Sequence, residues 1–140
     1  MRKISSRFSI ATHILAMMAF NHPLTGDQMA GSVQTNPVVI RRIIGQLKKA
    51  GLVNVKAGTG GARLTRDADQ ITLLDIFNAV EVVEDNVLFN FHEHPNLDCP
   101  IGANIERSLR RTMSEAQAAM EDKLARVTLR QLAGELMELE

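Results

Sequence analysis

Residues 24–64, LTGDQMAGSVQTNPVVIRRIIGQLKKAGLVNVKAGTGGARL, decide the fold of this 140-residue chain. Two capping patterns, TGDQ at residues 25–28 and Asn36-Pro37, predict the starts of two short helices. Alternating residues and a glycine-rich turn at 53–64 then predict two antiparallel strands. This order of elements is that of a winged helix-turn-helix with a two-stranded wing.

The segments on either side complete a mainly α fold with a small β element (α+β). A first helix is predicted to begin at Ser5 or Ser6, either of which fits an N-cap, and its apolar residues lie on two sides. We expect this helix to be buried between the helix-turn-helix and a C-terminal helix. Thr72 with Asp75 predicts the cap of a fourth helix that runs to about Val82.

A long helix is predicted to begin at Pro100, after an irregular connection over residues 84–98. Apolar and small residues recur along it every three or four positions and form a narrow seam, which is typical of a dimer contact. The seam residues are Ile105, Leu109, Thr112, Ala116, Met120, Leu124 and Val127. Packing within the same chain is the alternative. A capping pattern at Thr128 begins a short final helix.

We therefore predict two regions. Residues 1–66 would form the winged helix-turn-helix domain, and residues 67–140 a helical dimerisation and candidate sensor region. The net charge of zero conceals opposite charges on the two: the first holds ten Lys/Arg and one acid (net +9), the second six Lys/Arg and fifteen acids (net −9). A basic half with charges on helix surfaces and turns is typical of a polyanion-binding protein, with chance segregation as the alternative.

The composition predicts a cytoplasmic protein. A single cysteine excludes an intrachain disulfide framework and favours a reducing compartment. The longest uncharged apolar stretch, residues 8–21, is too short and too polar to cross a membrane, so no membrane partner is expected. The N-terminus lacks the small-residue cleavage site of a signal peptide.

The outer face of the third helix is the strongest candidate site. Arginine bonds guanine bidentately in the major groove, and early positions of a recognition helix reach base edges. By these rules the base-reading candidates are Asn36, Val38, Arg41 and Arg42, and the phosphate-binding candidates are Lys48 and Lys49. A solvated charged face is the alternative, but the neighbouring glycine turn favours double-stranded DNA as the partner.

The wing and the N-terminus extend this prediction. Gly60 and Gly61 let the backbone approach a sugar-phosphate surface, and Arg63 at the wing base fits a minor groove, with an ordinary hairpin as the alternative. The start of the first helix offers a phosphate clamp made of Lys3, Ser5, Ser6 and Arg7. Single-stranded nucleic acid is disfavoured, because its binders stack bases on aromatic side chains and this chain has no Trp or Tyr.

The loop before the long helix holds a second group of candidates. His92, Glu93, His94 and Cys99 are metal-ligand types, but their spacing matches no strong metal motif, so no metal site is predicted. Cys99 fits the N-cap of the long helix, where the helix dipole and free N–H groups favour a thiolate. Cys99, His92 and His94 are therefore candidate sensor residues for a redox or small-molecule signal. Solvated histidines and an inert cysteine are the alternatives.

Catalysis has no support in the sequence. Ser108 and Ser114 have no His or Asp at a productive helical spacing. The scattered acids of the fourth and fifth helices are typical of solvated faces. We therefore do not predict an enzyme.

Four segments, in this order, resemble the Rrf-two family of bacterial winged-helix transcription regulators: SSRFSIATHILAMMA, NPVVIRRIIGQLKKAGLV, GTGGARL and ITLLDIFNAVE. The resemblance spans nearly the whole chain. It implies a homodimer joined through the long C-terminal helix and bound to a palindromic operator, usually as a repressor. The residues that match the family's recognition helix are Asn36, Val38, Arg41 and Arg42, and those that match its wing are Gly60, Gly61 and Arg63.

One departure from the family bears on the cofactor. Members that hold an iron–sulfur cluster place three cysteines before and into the long helix, whereas this chain has only Cys99. An all-cysteine cluster in one subunit is excluded by count, a mixed His/Cys site or a shared cluster is not favoured, and no cofactor is predicted. The segment HPNLDCPIG resembles cluster-free relatives, some of which respond to thiol oxidation. The competing hypotheses are a winged-helix protein-interaction module and a regulator gated by metal or thiol oxidation at the His92–Cys99 loop.

Overall fold

The computed structural model describes residues 6–20, 23–56, 61–81 and 91–138. Within them the helices are α1 (Arg7–Phe20), α2 (Gly26–Val33), α3 (Pro37–Lys49), α4 (Leu73–Val80), α5 (Pro100–Ala125) and α6 (Leu129–Glu138). The strands β1 (Val53–Lys56) and β2 (Gly61–Leu64) form an antiparallel pair, and a short 3-10 helix (Ala68–Gln70) precedes α4. The predicted mainly α fold with a two-stranded wing is confirmed. Lys3, Ser5 and Gly60 lie outside the described residues.

The chain divides into two compact units, one formed by Met1–Glu81 with Leu124–Glu140 and the other by Val82–Lys123. This division differs from the predicted boundary at residue 66. The reason lies in packing that is remote in sequence: α4 contacts α1 and α3, and α6 returns to α1. The larger unit is therefore the winged helix-turn-helix together with α4 and α6.

The first helix supplies the centre of the larger unit's core. Ile14, Leu15 and Met18 are fully buried, and burying one such side chain stabilises the fold by about 1.5–3 kcal/mol. Helix α1 contacts α3 and also α6. This confirms the prediction that it lies between the helix-turn-helix and a C-terminal helix.

Side-chain caps set where the helices begin. At α2, the Gln28 N–H donates to Thr25 Oγ1 at 3.2 Å, and the Thr25 N–H donates to Gln28 Oε1 at 2.9 Å. Thr72 and Thr128 form the same reciprocal pair of hydrogen bonds at the starts of α4 and α6, and Asn36 caps α3 with a single one from the Val38 N–H. The predicted caps at Thr25, Asn36, Thr72 and Thr128 are therefore confirmed, whereas α4 ends at Val80, slightly earlier than predicted.

The wing is joined to the chain that precedes α2. The Leu24 N–H donates to the Ala62 carbonyl at 2.8 Å, and the Ala62 N–H donates to the Leu24 carbonyl at 2.7 Å. Next to this bridge, Gly61 has φ +70°, and a Cβ there would stand 2.7 Å from the Leu24 oxygen. Gly61 is thus required by the fold itself, independently of its predicted role at DNA.

A second bridge joins the starts of α4 and α6. The Leu73 N–H donates to the Val127 carbonyl at 2.9 Å, and the Leu129 N–H donates to the Ile71 carbonyl at 2.7 Å. Because α5 ends at residue 125, Val127 lies beyond the helix. Val127 therefore does not continue the line of seam residues along α5 but binds the start of α4, and the dimer contact of the other seam residues stays a prediction.

In the described part of the smaller unit, residues 91–123, a loop packs against α5. The Arg110 guanidinium lies 4.7 Å from the centre of the Phe91 ring and donates to Glu106 at 2.9 Å. A side chain at Gly102 would collide with the backbone of Asn96, so the loop crosses the helix closely. All 26 residues of α5 are described and none of them is buried. Among the described helices, none combines the length and the hydropathy that crossing a membrane requires.

Candidate nucleic-acid interface

Four exposed cations line the outer face of α3: Arg41, Arg42, Lys48 and Lys49. Residues seven apart are nearly in line on a helix, so the cations form two rows, each with an arginine ahead of a lysine. Val38, 53% exposed, and Gly45 lie between the rows. The opposite face of α3 buries Ile40, Ile43 and Leu47 in the core, and this packing holds the two rows of cations on the exposed side of the helix.

Packing within the chain gives no reason for Gly45. A Cβ at this position would meet no neighbouring atom within 4 Å, yet glycine inside a helix costs about 1 kcal/mol relative to alanine. A neighbour outside the chain would supply the reason. A sugar-phosphate strand lying across α3 between the cation rows is such a neighbour.

Asn36 stands at the start of the same face. Its Oδ1 accepts the Val38 N–H at 2.9 Å, so this oxygen is used as the cap of α3. A contact from Asn36 to a base would therefore employ its amide N–H groups. The predicted base contact stays a prediction, and the structure adds that the residue also positions Val38.

Arg41 lies next to the wing. Arg41 lines a pocket of about 250 Å³ together with Asp27 of α2 and with Val55 and Gly61 of the wing. Asp27 is the one acid among residues 1–66. Recognition helix and wing are thus neighbours on one surface, as binding to adjacent grooves of one duplex requires.

The outer face of the wing carries two polar residues that the sequence analysis did not assign to DNA. Asn54 pairs directly opposite Arg63, and both line a pocket of about 310 Å³ with Lys56. The inner face of the wing instead buries Val53 and Ala62. The alternation along β1 was the signal that placed Asn54 and Lys56 beside Arg63.

We expect Lys56→Gln to weaken binding to every duplex alike. Removing one phosphate-neutralising charge lowers the slope of log K against log salt by about 0.9. The measurement is fluorescence anisotropy with a specific and a random duplex over a salt series. Lys123→Gln, on exposed α5, is the matched control and should leave the slope unchanged. An unchanged slope for Lys56→Gln would exclude it from the interface.

The N-terminal clamp is described only in part. Ser6 is exposed, and its carbonyl accepts the Ile10 N–H at 2.9 Å at the first turn of α1. Arg7 turns toward the end of α4: its Nε donates to the Val80 carbonyl at 2.9 Å, and its guanidinium pairs with Glu81 at 3.3 Å. Arg7 thus ties α1 to α4, and its phosphate contact stays a prediction.

The candidate sensor residues differ in their surroundings. Backbone N–H groups of Gly102 and Ile101 donate to the Cys99 sulfur and hold the pKa of this thiol below its ordinary value. His92 and His94 are exposed, and His94 has φ +59°. The residues that the structure describes include no group of three or more His, Cys, Asp or Glu able to hold a metal. The described part of the loop therefore presents a thiol with a lowered pKa.

Comparison with known proteins assigns the family. Residues 4–135 match the Rrf2 family, which is described as iron-dependent transcriptional regulators. The chain belongs to the Rrf2 family. It is 41% identical over 133 residues to YwnA, described as an HTH-type transcriptional regulator of Bacillus subtilis (strain 168), covering 95% of this chain and 98% of that one.

Two solved structures share this Rrf2 fold. One, described as a DNA-binding protein, is 36% identical with a TM-score of 0.74, covering 91% of this chain and 98% of that one. The other is CymR, the global cysteine regulator of B. subtilis, 25% identical with a TM-score of 0.69, covering 96% and 98%. The chain is thus a DNA-binding transcription regulator, and its family and these relatives are regulators rather than enzymes.

The iron dependence in the family description does not fit the residues of this chain. Iron–sulfur clusters are held by several cysteine thiolates, usually four, and Cys99 is the only cysteine of the chain. Its sulfur is already the acceptor for the backbone N–H groups at the start of α5. We therefore derive no step of regulation through iron.

Proposed function

We propose that this Rrf2 protein is a cytoplasmic repressor that binds a palindromic operator in double-stranded DNA as a homodimer. The observation that carries the proposal is the outer face of α3, where two rows of cations flank Val38 and Gly45. An arginine at the head of each row suits guanine contacts in a major groove, and the lysines behind suit phosphates. The polar wing face would follow the adjacent minor groove.

Homodimerisation would explain the exposed apolar residues of α5. Helix α5 carries apolar residues along one side, and none of its residues is buried in one copy. A two-fold dimer would pair these helices and present two copies of α3, so the operator would share the two-fold symmetry. A regulator of this kind represses when its operator overlaps a promoter.

Selection of duplexes from a random pool tests this function. We expect an inverted repeat whose half-sites are separated by one helical turn, about 10–10.5 bp, or a multiple of it. A single half-site would contradict the dimer and the palindrome, and no enrichment would contradict the specific operator. Transcription in vitro from a promoter that contains the selected site then tests repression, since activation would reverse its sign.

A protein-interaction module is the competing function for a winged helix. It is distinguished by the salt dependence of duplex binding, because a surface that neutralises phosphates loses affinity steeply as salt rises. We expect that loss here, given the cations on α3 and the wing. Absence of any salt-dependent duplex binding would favour the module.

A thiol gate is the form of regulation that the site favours. The lowered pKa of Cys99 favours the thiolate, which attacks one oxygen of the peroxide; the O–O bond breaks, the sulfur is oxidised to a sulfenic acid and hydroxide leaves. We expect peroxide to change the operator affinity of the wild type but not of Cys99→Ser, measured by anisotropy. The alkylation rate of Cys99 should reach half its maximum at a lower pH in the folded protein than in the urea-unfolded protein, because the backbone N–H groups that lower the pKa of the thiol are in place only in the fold. An equal peroxide response in the two proteins would exclude the gate.

A further inference from the structure

The turn between α2 and α3 holds a glutamine in a backbone conformation that favours glycine. Gln34 has φ +56° and ψ +47°, which lie in the left-handed region. Apart from glycine, the residues enriched in this region are Asn, Asp and His, and other side chains are strained there because the Cβ atom crowds the backbone. His94, which also has a positive φ, is one of these enriched types. Gln34 therefore needs a reason that its backbone does not supply.

The fold uses only the backbone of Gln34. Its N–H donates to the Ala30 carbonyl at 2.9 Å, and this hydrogen bond ends α2. A glycine would donate the same hydrogen bond without strain, and glycine is the usual residue at a left-handed helix end. The side-chain amide of Gln34, by contrast, is exposed and has no hydrogen-bond partner among the described residues. Contacts within the described chain thus explain the turn but not the glutamine in it.

Gln34 lies at the start of the outer face of α3. It stands two residues ahead of the cap residue Asn36, so the Cα atoms of the two are at most about 7 Å apart. Both side chains are exposed, whereas Thr35 between them is half-buried. The first residues of a recognition helix contact base edges in the major groove. A long exposed side chain just ahead of α3 is therefore within reach of the same groove.

The chemistry of the side-chain amide identifies the base that it suits. An amide reads adenine with two hydrogen bonds, because its oxygen accepts from the N6 amino group while its N–H donates to N7. At Asn36 the amide oxygen is engaged by the Val38 N–H in the cap of α3. At Gln34 neither the oxygen nor the nitrogen is engaged by a described residue. Gln34 is therefore better suited than Asn36 to this two-bond contact.

We infer that Gln34 reads an adenine of the operator in the major groove, next to the bases that Arg41 and Arg42 contact. This inference rests on the proposed function, because it requires α3 to bind a specific operator. It adds a specificity-determining residue that lies ahead of the recognition helix rather than in it. The strained turn then has a purpose, since it carries an amide whose oxygen and nitrogen both remain available to the DNA.

Gln34→Gly tests whether the amide contributes to binding, in anisotropy titrations against the selected operator and its single-base variants. The substitution removes the amide and relieves the left-handed backbone. We expect operator affinity to fall about 5- to 150-fold, which is the value of a good two-bond base contact, and the preference for adenine to disappear at one position. The melting temperature should not fall, so a loss of affinity cannot be ascribed to unfolding.

Gln34→Glu tests which base the side chain reads. A carboxylate has no N–H to donate to adenine N7, but it accepts from the N4 amino group of cytosine. The preferred base at that position should therefore change from adenine to cytosine, a change that a purely structural role of Gln34 would not produce. Gln70→Glu, at another exposed glutamine of the larger unit, is the matched control. It adds the same charge and should keep the base preference of the wild type.

The remaining outcomes separate the inference from the function on which it rests. If the wild type selects no operator, the proposed function fails and the inference fails with it. If the wild type selects an operator and Gln34→Gly keeps both its affinity and its base preferences, the inference alone is wrong. An equal loss of affinity for every duplex would place the amide at the sugar-phosphate backbone, and this result would also overturn the reading of adenine.

Discussion

Replacing Arg41 or Arg42 by alanine should cost about 1–3 kcal/mol at the selected operator, which is about a 5- to 150-fold loss of affinity. The two side chains head separate cation rows on an exposed helix face whose backbone the core holds fixed. Each is therefore free to make its own contact to a guanine. If the contacts are independent, the double variant loses about 2–6 kcal/mol.

The change in base preference of each variant is as informative as the size of its loss of operator affinity. An arginine that reads a base should lose its preference at one position of the operator, whereas Lys48→Gln should weaken all duplexes alike. Anisotropy titrations against single-base operator variants measure both. Arg130→Ala, an exposed arginine on α6, is the control and should bind as the wild type does. Unchanged operator affinity in both arginine variants would show that α3 is not the recognition helix.

The parts of the fold that were predictable are those fixed by local interactions. The cap at Thr25 involves a partner only three residues away, and Asn36 caps α3 through the N–H of Val38. Such contacts form within one helical turn, so short patterns of sequence identify them. The apolar spacing of α3 likewise determined which face is buried and which carries the cations.

The parts that were missed depend on contacts between residues far apart in the chain. One example is the bridge between the starts of α4 and α6, in which the Val127 carbonyl accepts the Leu73 N–H. The contacts of Arg7 with Val80 and Glu81 were not predicted, because these partners are more than seventy residues away; its phosphate contact stays a prediction. A pattern read along one segment carries no information about such partners. Lys56 was missed for a different reason. The alternation of β1 was sufficient to place it on the outer face of the wing, but it was not assigned to DNA.

The two glycines that face the proposed DNA surface test this distinction between fold and function. Gly61 lies beside the Leu24 bridge at φ +70°, where an alanine Cβ would crowd the Leu24 oxygen at 2.7 Å. Gly45 lies on α3 with open space where a Cβ would be. The first glycine is therefore explained by contacts within the chain, whereas the proposed explanation for the second is a DNA strand lying against α3.

We expect Gly61→Ala to lower the free energy of unfolding by about 2–5 kcal/mol. A left-handed backbone costs an alanine about 1–2 kcal/mol, and losing the two hydrogen bonds between Leu24 and Ala62 costs about 0.5–1.5 kcal/mol each. Gly45→Ala, the matched control, should instead raise the free energy of unfolding by up to about 1 kcal/mol. Urea unfolding of the free proteins measures both changes.

The substitution at Gly45 should have opposite effects on stability and on DNA affinity. Gly45→Ala, although more stable, should bind the operator less tightly, because its methyl group occupies the space into which a phosphate strand would fit. A Gly45→Ala protein that binds as tightly as the wild type would place that strand elsewhere on α3. A Gly61→Ala protein of unchanged stability would show that the bridge at Leu24 yields without cost, and the glycine would then need its explanation at the DNA.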